Sequence, residues 1–464
     1  MRVDITKSHV LVITFVVSLG GFLFGFDMAV VSGVIPFVRE QYGLSPVAEG
    51  WFVTIALIGC IIGVAFSGEM SDRWGRKKPL FLSAIFFLVS AVGTAFMPTL
   101  SGVLIFRCIG GIGIGLASNL VPLYISEIAP ARSRGKLVTF YQLALTLGIL
   151  CAYLSNAFLL RHSQDYGLTV AGRNSLLEYT FVTEVWRGML LVGVLPALLF
   201  FVGMFIVPES PRWLMQKNRS KEAADIIQRL SSEDVVSLSP SPGKTEPSKR
   251  IPYSQLWKGP WRKAMILGIL LPLFSQFSGI NAIIYYGPSI LNSAGVSINN
   301  ALMSQVIFGT ANMLFTLLAI WKVDTLGRRV LYLYGTLGAT VALLLTGFCF
   351  MTGASSSFFV LISVLMFLAC FAFSIGPLKF VVASEIFPGA VRGRAMAVSI
   401  MVMWIADAIV GQITPVMLKY WGTPVTFWVF AGFCLIAFIT VYKILPETKG
   451  KSLEDIEQEW LIKQ

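Results

Sequence analysis

Twelve apolar blocks constrain this chain more than any other feature. They fall roughly at 9–31, 49–71, 79–98, 101–124, 137–160, 187–208, 263–291, 300–321, 329–351, 356–384, 394–418 and 424–445. Each is about 20 residues long, enough for a helix to cross about 30 Å of hydrocarbon. Backbone amides in lipid must be satisfied internally, which leaves only helices and closed barrels. A barrel would show alternating segments of about ten residues, and these blocks are continuous instead. The fold class read from the sequence is therefore an all-α membrane protein with twelve transmembrane helices. Hydrophobic residues at 56% and charged residues at 13% agree with that. No cleavable signal peptide is read before the first block, whose length suits a retained span.

A net charge of +12 raises the question of nucleic acid, which the positions of the basic residues answer. Arg39, Arg161, Arg173, Arg187 and Lys419 fall on one side of the blocks, and Arg107 and Lys379 lie within them. The remaining Lys and Arg fall in the N-terminal tail and alternate loops, so the positive-inside rule puts both termini in the cytoplasm of a plasma (inner) membrane. The basicity is topological, and no nucleic acid is called for. All six cysteines lie in apolar blocks without paired spacing, and two histidines cannot make a usual zinc site. No cofactor or metal is expected. No soluble domain or cluster of catalytic side chains suggests an enzyme.

The chain is written twice. "DRWGRK" (Asp72 to Lys77) follows the second block and "DTLGRR" (Asp324 to Arg329) the eighth. "SEIAPARSRG" (Ser126 to Gly135) follows the fourth and "SEIFPGAVRG" (Ser384 to Gly393) the tenth; "PES" at Pro208 and "PET" at Pro446 close the two series. Three marks in one order predict two parallel six-helix halves that rock around a midplane site. The division read is 1–208 as the N-terminal bundle, 209–262 as a cytoplasmic linker with a helical segment, 263–445 as the C-terminal bundle and 446–464 as a cytoplasmic tail. Within the linker, "KEAADIIQRLSSED" has helical spacing and "SLSPSPGKTEPSKR" has no means of forming a core.

Each mark sets carboxylates near arginines: Asp72 with Arg76, Glu127 with Arg134, Asp324 with Arg328, and Glu385 with Arg392, joined by Glu209, Arg212 and Glu447 in the closing marks. A network of such pairs is a latch that can be made and broken, each exposed pair contributing about 0 to 1 kcal/mol. Plain positive-inside anchoring is the other reading.

"IGGIGIGLASNLVPLYISEIAPARSRGK" (Ile109 to Lys136), "PESPRWLM" (Pro208 to Met215), "SQFSGINAIIYYGP" (Ser275 to Pro288) and "LPETKGKSLEDIE" (Leu445 to Glu457) resemble the signatures of the sugar porter family of the major facilitator superfamily. They occur in family order over nearly the whole chain. The likeness takes in bacterial xylose and hexose proton symporters, plant monosaccharide symporters and animal hexose facilitators. "GGIGIG" (Gly110 to Gly115) is no dinucleotide loop, because it sits inside an apolar block. Gly111 and Gly115, like Gly59 and Gly63 or Gly21 and Gly25, have the spacing that lets membrane helices approach closely.

Asp27 stands well inside the first block, where an ionised carboxylate costs about 2.5 to 3.5 kcal/mol. At about 1.5 Å per residue it lies about 27 Å above the start of its block, and Arg107 lies about 26 Å above the cytoplasmic end of the fourth. Matched depth lets them pair, which lowers the cost of burying either. The pair is either a permanent structural one or a proton carrier that trades Arg107 for a proton when helices move. The resemblance supports the second reading, since proton-coupled sugar porters carry Asp and Arg at the matching positions. Gly193 departs from the xylose symporters, which carry a Glu there.

A neutral sugar needs amides and hydroxyls that donate and accept, with an aromatic face for its C–H surface. Gln142, Gln276, Asn281, Asn312 and Ser275, with Phe24 and Phe380, are the candidates for substrate binding. Gly279 offers a helix break, and Asn281 and Tyr285 share a face at i, i+4. The resemblance implies that these amides touch sugar and that Tyr285 and Tyr286 close an outer gate. Ser275, Phe380, Met403 and Asp407 differ from the common family pattern. Lys379 can snorkel; Asp407 can bind sugar hydroxyls, pair with Lys379 or titrate, and these roles stay open.

The functional expectation is a proton-coupled symporter of a hexose, pentose or polyol, with the proton and the bilayer as its other partners, acting as a monomer. A facilitative carrier on the same fold is the alternative. A sugar sensor is the third, against which stands a chain that ends about twenty residues after the last block.

Overall fold

The computed structural model describes residues 5–129, 134–167, 178–230, 261–293, 295–352, 357–387 and 392–447. Twelve helical stretches among them are long and apolar enough to span a membrane. The first five are α1 (Ile5–Tyr42), α2 (Pro46–Trp74), α3 (Lys77–Phe96), α4 (Leu100–Ile128) and α5 (Arg134–Gly167). A π-helical turn at Tyr179–Thr183 precedes the sixth, which is built from α6 (Val185–Leu191) and α7 (Val194–Gly203). Two short helices follow, α8 (Pro211–Gln216) and α9 (Ser220–Leu230).

The seventh span is broken into α10 (Trp261–Phe277) and α11 (Ile280–Ser293) at Gly279, whose φ of +84° suits a residue without Cβ. Then come α12 (Ile298–Leu326), α13 (Arg328–Met351), and a tenth span of α14 (Ser357–Cys370), a π turn at Phe371–Ile375 and α15 (Gly376–Ile386). The last two are α16 (Arg392–Tyr420) and α17 (Gly422–Ile444). Several helices outrun the apolar blocks. α1 continues from Val31 to Tyr42 because Val34, Ile35 and Val38 are all buried, and the Ser32 hydroxyl that interrupts the block donates back to the Ala29 carbonyl at 2.8 Å.

By its contacts the chain divides into two compact units, Met1–Val34 with Ile55–Pro247, and Ile35–Thr54 with Ser248–Gln464. Lipid tails give helices no hydrophobic reason to associate, so close backbone approach has to supply the packing. In the first unit α2 and α4 meet through the glycines the sequence offered: Gly59 faces the Cys108 carbonyl, Gly111 the Ala56 carbonyl and Gly115 the Cys60 carbonyl, all too close for a Cβ. Gly25 of α1 sits against the Leu145 carbonyl of α5, and Gly148 returns the contact against Phe22. In the second unit α13 packs on α14 and α17, and α10 on α15 and α16. Large apolar side chains are left exposed on these helices, among them Phe15, Phe66, Phe158, Leu195 and Phe348.

Ile35–Thr54, the end of α1 and the start of α2, belongs to the second unit. Gln412 of α16 donates to the Val47 carbonyl at 3.1 Å and the Thr54 hydroxyl to the Ala408 carbonyl at 3.4 Å. Gly50 lies against the Gln412 carbonyl, where an added Cβ would sit 2.6 Å from the oxygen. Arg39 and Glu49 pair at 3.7 Å in the same stretch.

Candidate functional site

Asp27 is half-buried on α1, and Arg107 on α4 is 4% exposed. The two belong to one unit, and the charge of Arg107 reaches Asp27. A guanidinium sealed among apolar helices is costly unless an acidic group offsets it, and Asp27 is a carboxyl group in the same bundle. A Cβ at Gly193 would stand 3.2 Å from the Leu190 carbonyl oxygen and 3.4 Å from the Phe26 ring. Phe24 and Gln142 are half-buried in this unit. The Gln142 side chain makes no hydrogen bond among the described residues, which leaves a polar amide available to a ligand.

The second unit holds a continuous polar cluster. Asn281 Nδ2 donates both to Gln276 Oε1 at 2.8 Å and to Asp407 Oδ1 at 2.7 Å. Tyr285 donates its hydroxyl to the same carboxylate, at 3.3 Å to Oδ1 and 3.1 Å to Oδ2. The break at Gly279 makes this possible: it separates Gln276, on the last turn of α10, from Asn281 and Tyr285 on α11, so that the amides meet across the bend. Asp407, on α16, is 1% exposed. Lys379 Nζ donates to Ser275 Oγ at 3.1 Å, and its charge is felt at Asp407. Tyr286, fully buried, donates to the Gly411 carbonyl at 2.7 Å. Asn312 is half-buried on α12, and its side chain makes no hydrogen bond among the described residues. The Phe380 side chain lies outside the described residues.

Described residues of the charged marks come together in the first unit, and in the second Glu447 meets the backbone of Arg328 and Arg329. Arg76 forks onto Glu127, its Nη2 2.9 Å and its Nε 3.0 Å from the two carboxylate oxygens, with both side chains buried. Glu127, read in the sequence as the partner of Arg134, is thus engaged by Arg76 and by the Ser210 hydroxyl. Asp72 stands 77% exposed and only 3.8 Å from Arg76, a loose pair. Glu209 takes a different part from a simple ion pair, accepting the backbone N–H groups of Arg76 at 2.8 Å and Lys77 at 3.3 Å, and so capping the start of α3. Glu447 does the same for α13, accepting from Arg328 N at 2.9 Å and Arg329 N at 3.1 Å. A carboxylate there meets both the unpaired amides and the positive end of the helix dipole. Gly75 and Gly327, at φ +91° and +90°, make room for those carboxylates. Arg212 is half-buried on α8. The side chains of Arg134, Asp324, Glu385 and Arg392 lie outside the described residues.

Arg187, counted in the sequence as a loop charge, is 2% exposed. It donates to the carbonyls of Ala95 at 3.2 Å and Met97 at 2.6 Å, pairs with Glu184 and lies over the Trp186 ring at 4.3 Å, closing the far end of α3. Tyr179 donates to Glu184 at 2.6 Å, a bond that lifts its phenol above the usual range. No linear signal marks this arrangement, because the carbonyls it caps lie about ninety residues earlier in the chain.

A family profile described as "Sugar (and other) transporter" matches residues 13–460. The chain belongs to the sugar transporter family. Within it, the arabinose-proton symporter of Bacillus subtilis is 38% identical over 99% of this chain and 98% of its own length. The D-xylose-proton symporter of Escherichia coli is 36% identical over 99% of this chain and 97% of its own. The E. coli xylose transporter solved in a partially occluded inward-open conformation superposes with a TM-score of 0.79 at 35% identity, covering 96% of this chain and all of that one. The sugar transporter fold is therefore shared along the length of the chain.

Proposed function

We propose that this sugar transporter is a proton-coupled monosaccharide symporter working by alternating access, with Asp27 as proton carrier and Arg107 as its ionic partner. One observation carries the reading: an acid and a guanidinium sit inside one helical unit, the charge of Arg107 reaching Asp27, in a chain 38% and 36% identical to two proton symporters. Beside the guanidinium the carboxylate is stable as an anion, and drawn away into hydrocarbon it takes up a proton. Movement of the two six-helix halves alternates these surroundings. Gln142 with Phe24 in the first unit, and Gln276, Asn281 and Asn312 with Phe380 in the second, are the sugar contacts, and the sugar moves in the same cycle. Tyr285 and Tyr286 gate the site from outside, both termini are cytoplasmic, and the networks around Arg76 and Arg328 bias the two conformations.

A facilitative carrier is the second reading, and Gly193 favours it, since the resemblance to xylose symporters implies a Glu at that position and none is there. Uptake of labelled L-arabinose, D-xylose, D-glucose and myo-inositol into proteoliposomes separates the two. A symporter accumulates its sugar when the outside is made acidic and the inside is not. A carrier that only equilibrates, with or without the gradient, would overturn the coupling.

A further inference from the structure

We propose that Asp407 is the positioning residue of the substrate site in the second unit: its carboxylate fixes which end of the Asn281 amide, and through it which end of the Gln276 amide, faces the ligand. The inference rests on the reading of those amides as sugar contacts. A carboxylate only accepts hydrogen bonds, so the Asn281 atom 2.7 Å from Asp407 Oδ1 has to be the nitrogen. That nitrogen only donates, so the Gln276 atom 2.8 Å away has to be Oε1. One negative charge thereby sets the sense of two neutral groups in series. What remains for a ligand is an acceptor, Asn281 Oδ1, and a donor, Gln276 Nε2, neither hydrogen-bonded among the described residues. A sugar hydroxyl fits that opposed pair, giving its hydrogen to one and accepting from the other. An amide at position 407 could present either end to Asn281, and the array would lose its sense.

The same carboxylate holds the backbone in place. Tyr285 donates to Asp407 while Tyr286 donates to the carbonyl of Gly411, one helical turn further along α16, so α11 is tied to α16 at two successive turns. Lys379 supplies the counter-charge that a buried carboxylate needs, and its bond to Ser275 sets that hydroxyl at the edge of the same cluster.

The test measures KM and maximal rate of uptake in proteoliposomes with the sugar panel above, for wild type, Asp407→Asn and Lys379→Met/Asp407→Asn. Both variants should raise KM at least about tenfold while the maximal rate stays within about threefold, the loss expected when a charge-assisted contact no longer orders the site. The double variant leaves no unpaired buried charge, so it carries the measurement if the single variant does not fold. Wild-type KM in Asp407→Asn, or its recovery in the double variant, would overturn the proposal, because Asp407 would then be no more than a counter-ion. An infrared difference spectrum of wild type against the double variant, taken without sugar, should lose an ionised carboxylate band. Loss of a protonated carboxyl band instead would sink the inference even if none of these sugars is carried, an outcome that by itself counts against the functional reading alone.

Discussion

Glu209 accepts the backbone N–H of Arg76 at 2.8 Å, holding the first turn of α3 by a carboxylate that arrives only after the sixth span. Its counterpart Glu447 accepts from Arg328 at 2.9 Å. Glu209→Ala and Glu447→Ala should each destabilise the protein by about 0.5–2 kcal/mol, the range for losing a side-chain helix cap. Thermal unfolding in detergent, followed by tryptophan fluorescence, reads the effect, and a midpoint equal to wild type would contradict the capping role.

Gly75→Ala should cost more than removal of the cap. Its φ of +91° is disfavoured for any residue with a Cβ, and that Cβ would fall on the Glu209 carboxylate. The effect of Gly75→Ala/Glu209→Ala should therefore fall short of the sum of the single effects, since deleting the carboxylate relieves the collision and leaves only backbone strain. Additive losses in the same unfolding assay would show that the two sites do not touch.

Asp27→Asn keeps the shape of the side chain and removes the ionisable oxygen. Accumulation against a gradient should disappear while exchange of sugar between the two sides of a vesicle continues. Counterflow and gradient-driven uptake on the same preparation separate these, and full concentrative uptake by the variant would move the coupling site elsewhere.

Gly50→Val would place a Cβ 2.6 Å from the Gln412 carbonyl and should drive the start of α2 away from α16. Thr54, now buried and bonded to Ala408, reports this: a cysteine introduced at position 54 should label severalfold faster with a maleimide in the Gly50→Val background. An unchanged labelling rate would mean that the contact yields without separation.

The spans were legible because crossing hydrocarbon is a local requirement, written in every run of about twenty apolar residues. The spacing of Gly59 and Gly63 with Gly111 and Gly115 was legible for the same reason: close approach needs a missing side chain at a fixed interval on one helix. Partnerships were not. Glu127 was read with Arg134, a neighbour in its own mark whose side chain lies outside the described residues, and neither mark by itself announced that Arg76 from another mark reaches it. The position of Lys379 near the end of its span left its role open, and only the packing brings it to the hydroxyl of Ser275 on a different helix. Arg187 looked like a loop charge because the carbonyls it serves follow a different span. A linear sequence records which groups need partners, and only the packing decides which ones they meet.

The two caps also order events in time. The amides that open α3 are synthesised long before Glu209, and those that open α13 long before Glu447, so each half completes its third helix only after its sixth has emerged from the ribosome. A nascent chain halted just short of either glutamate would carry a helix start whose amides that carboxylate does not yet hold.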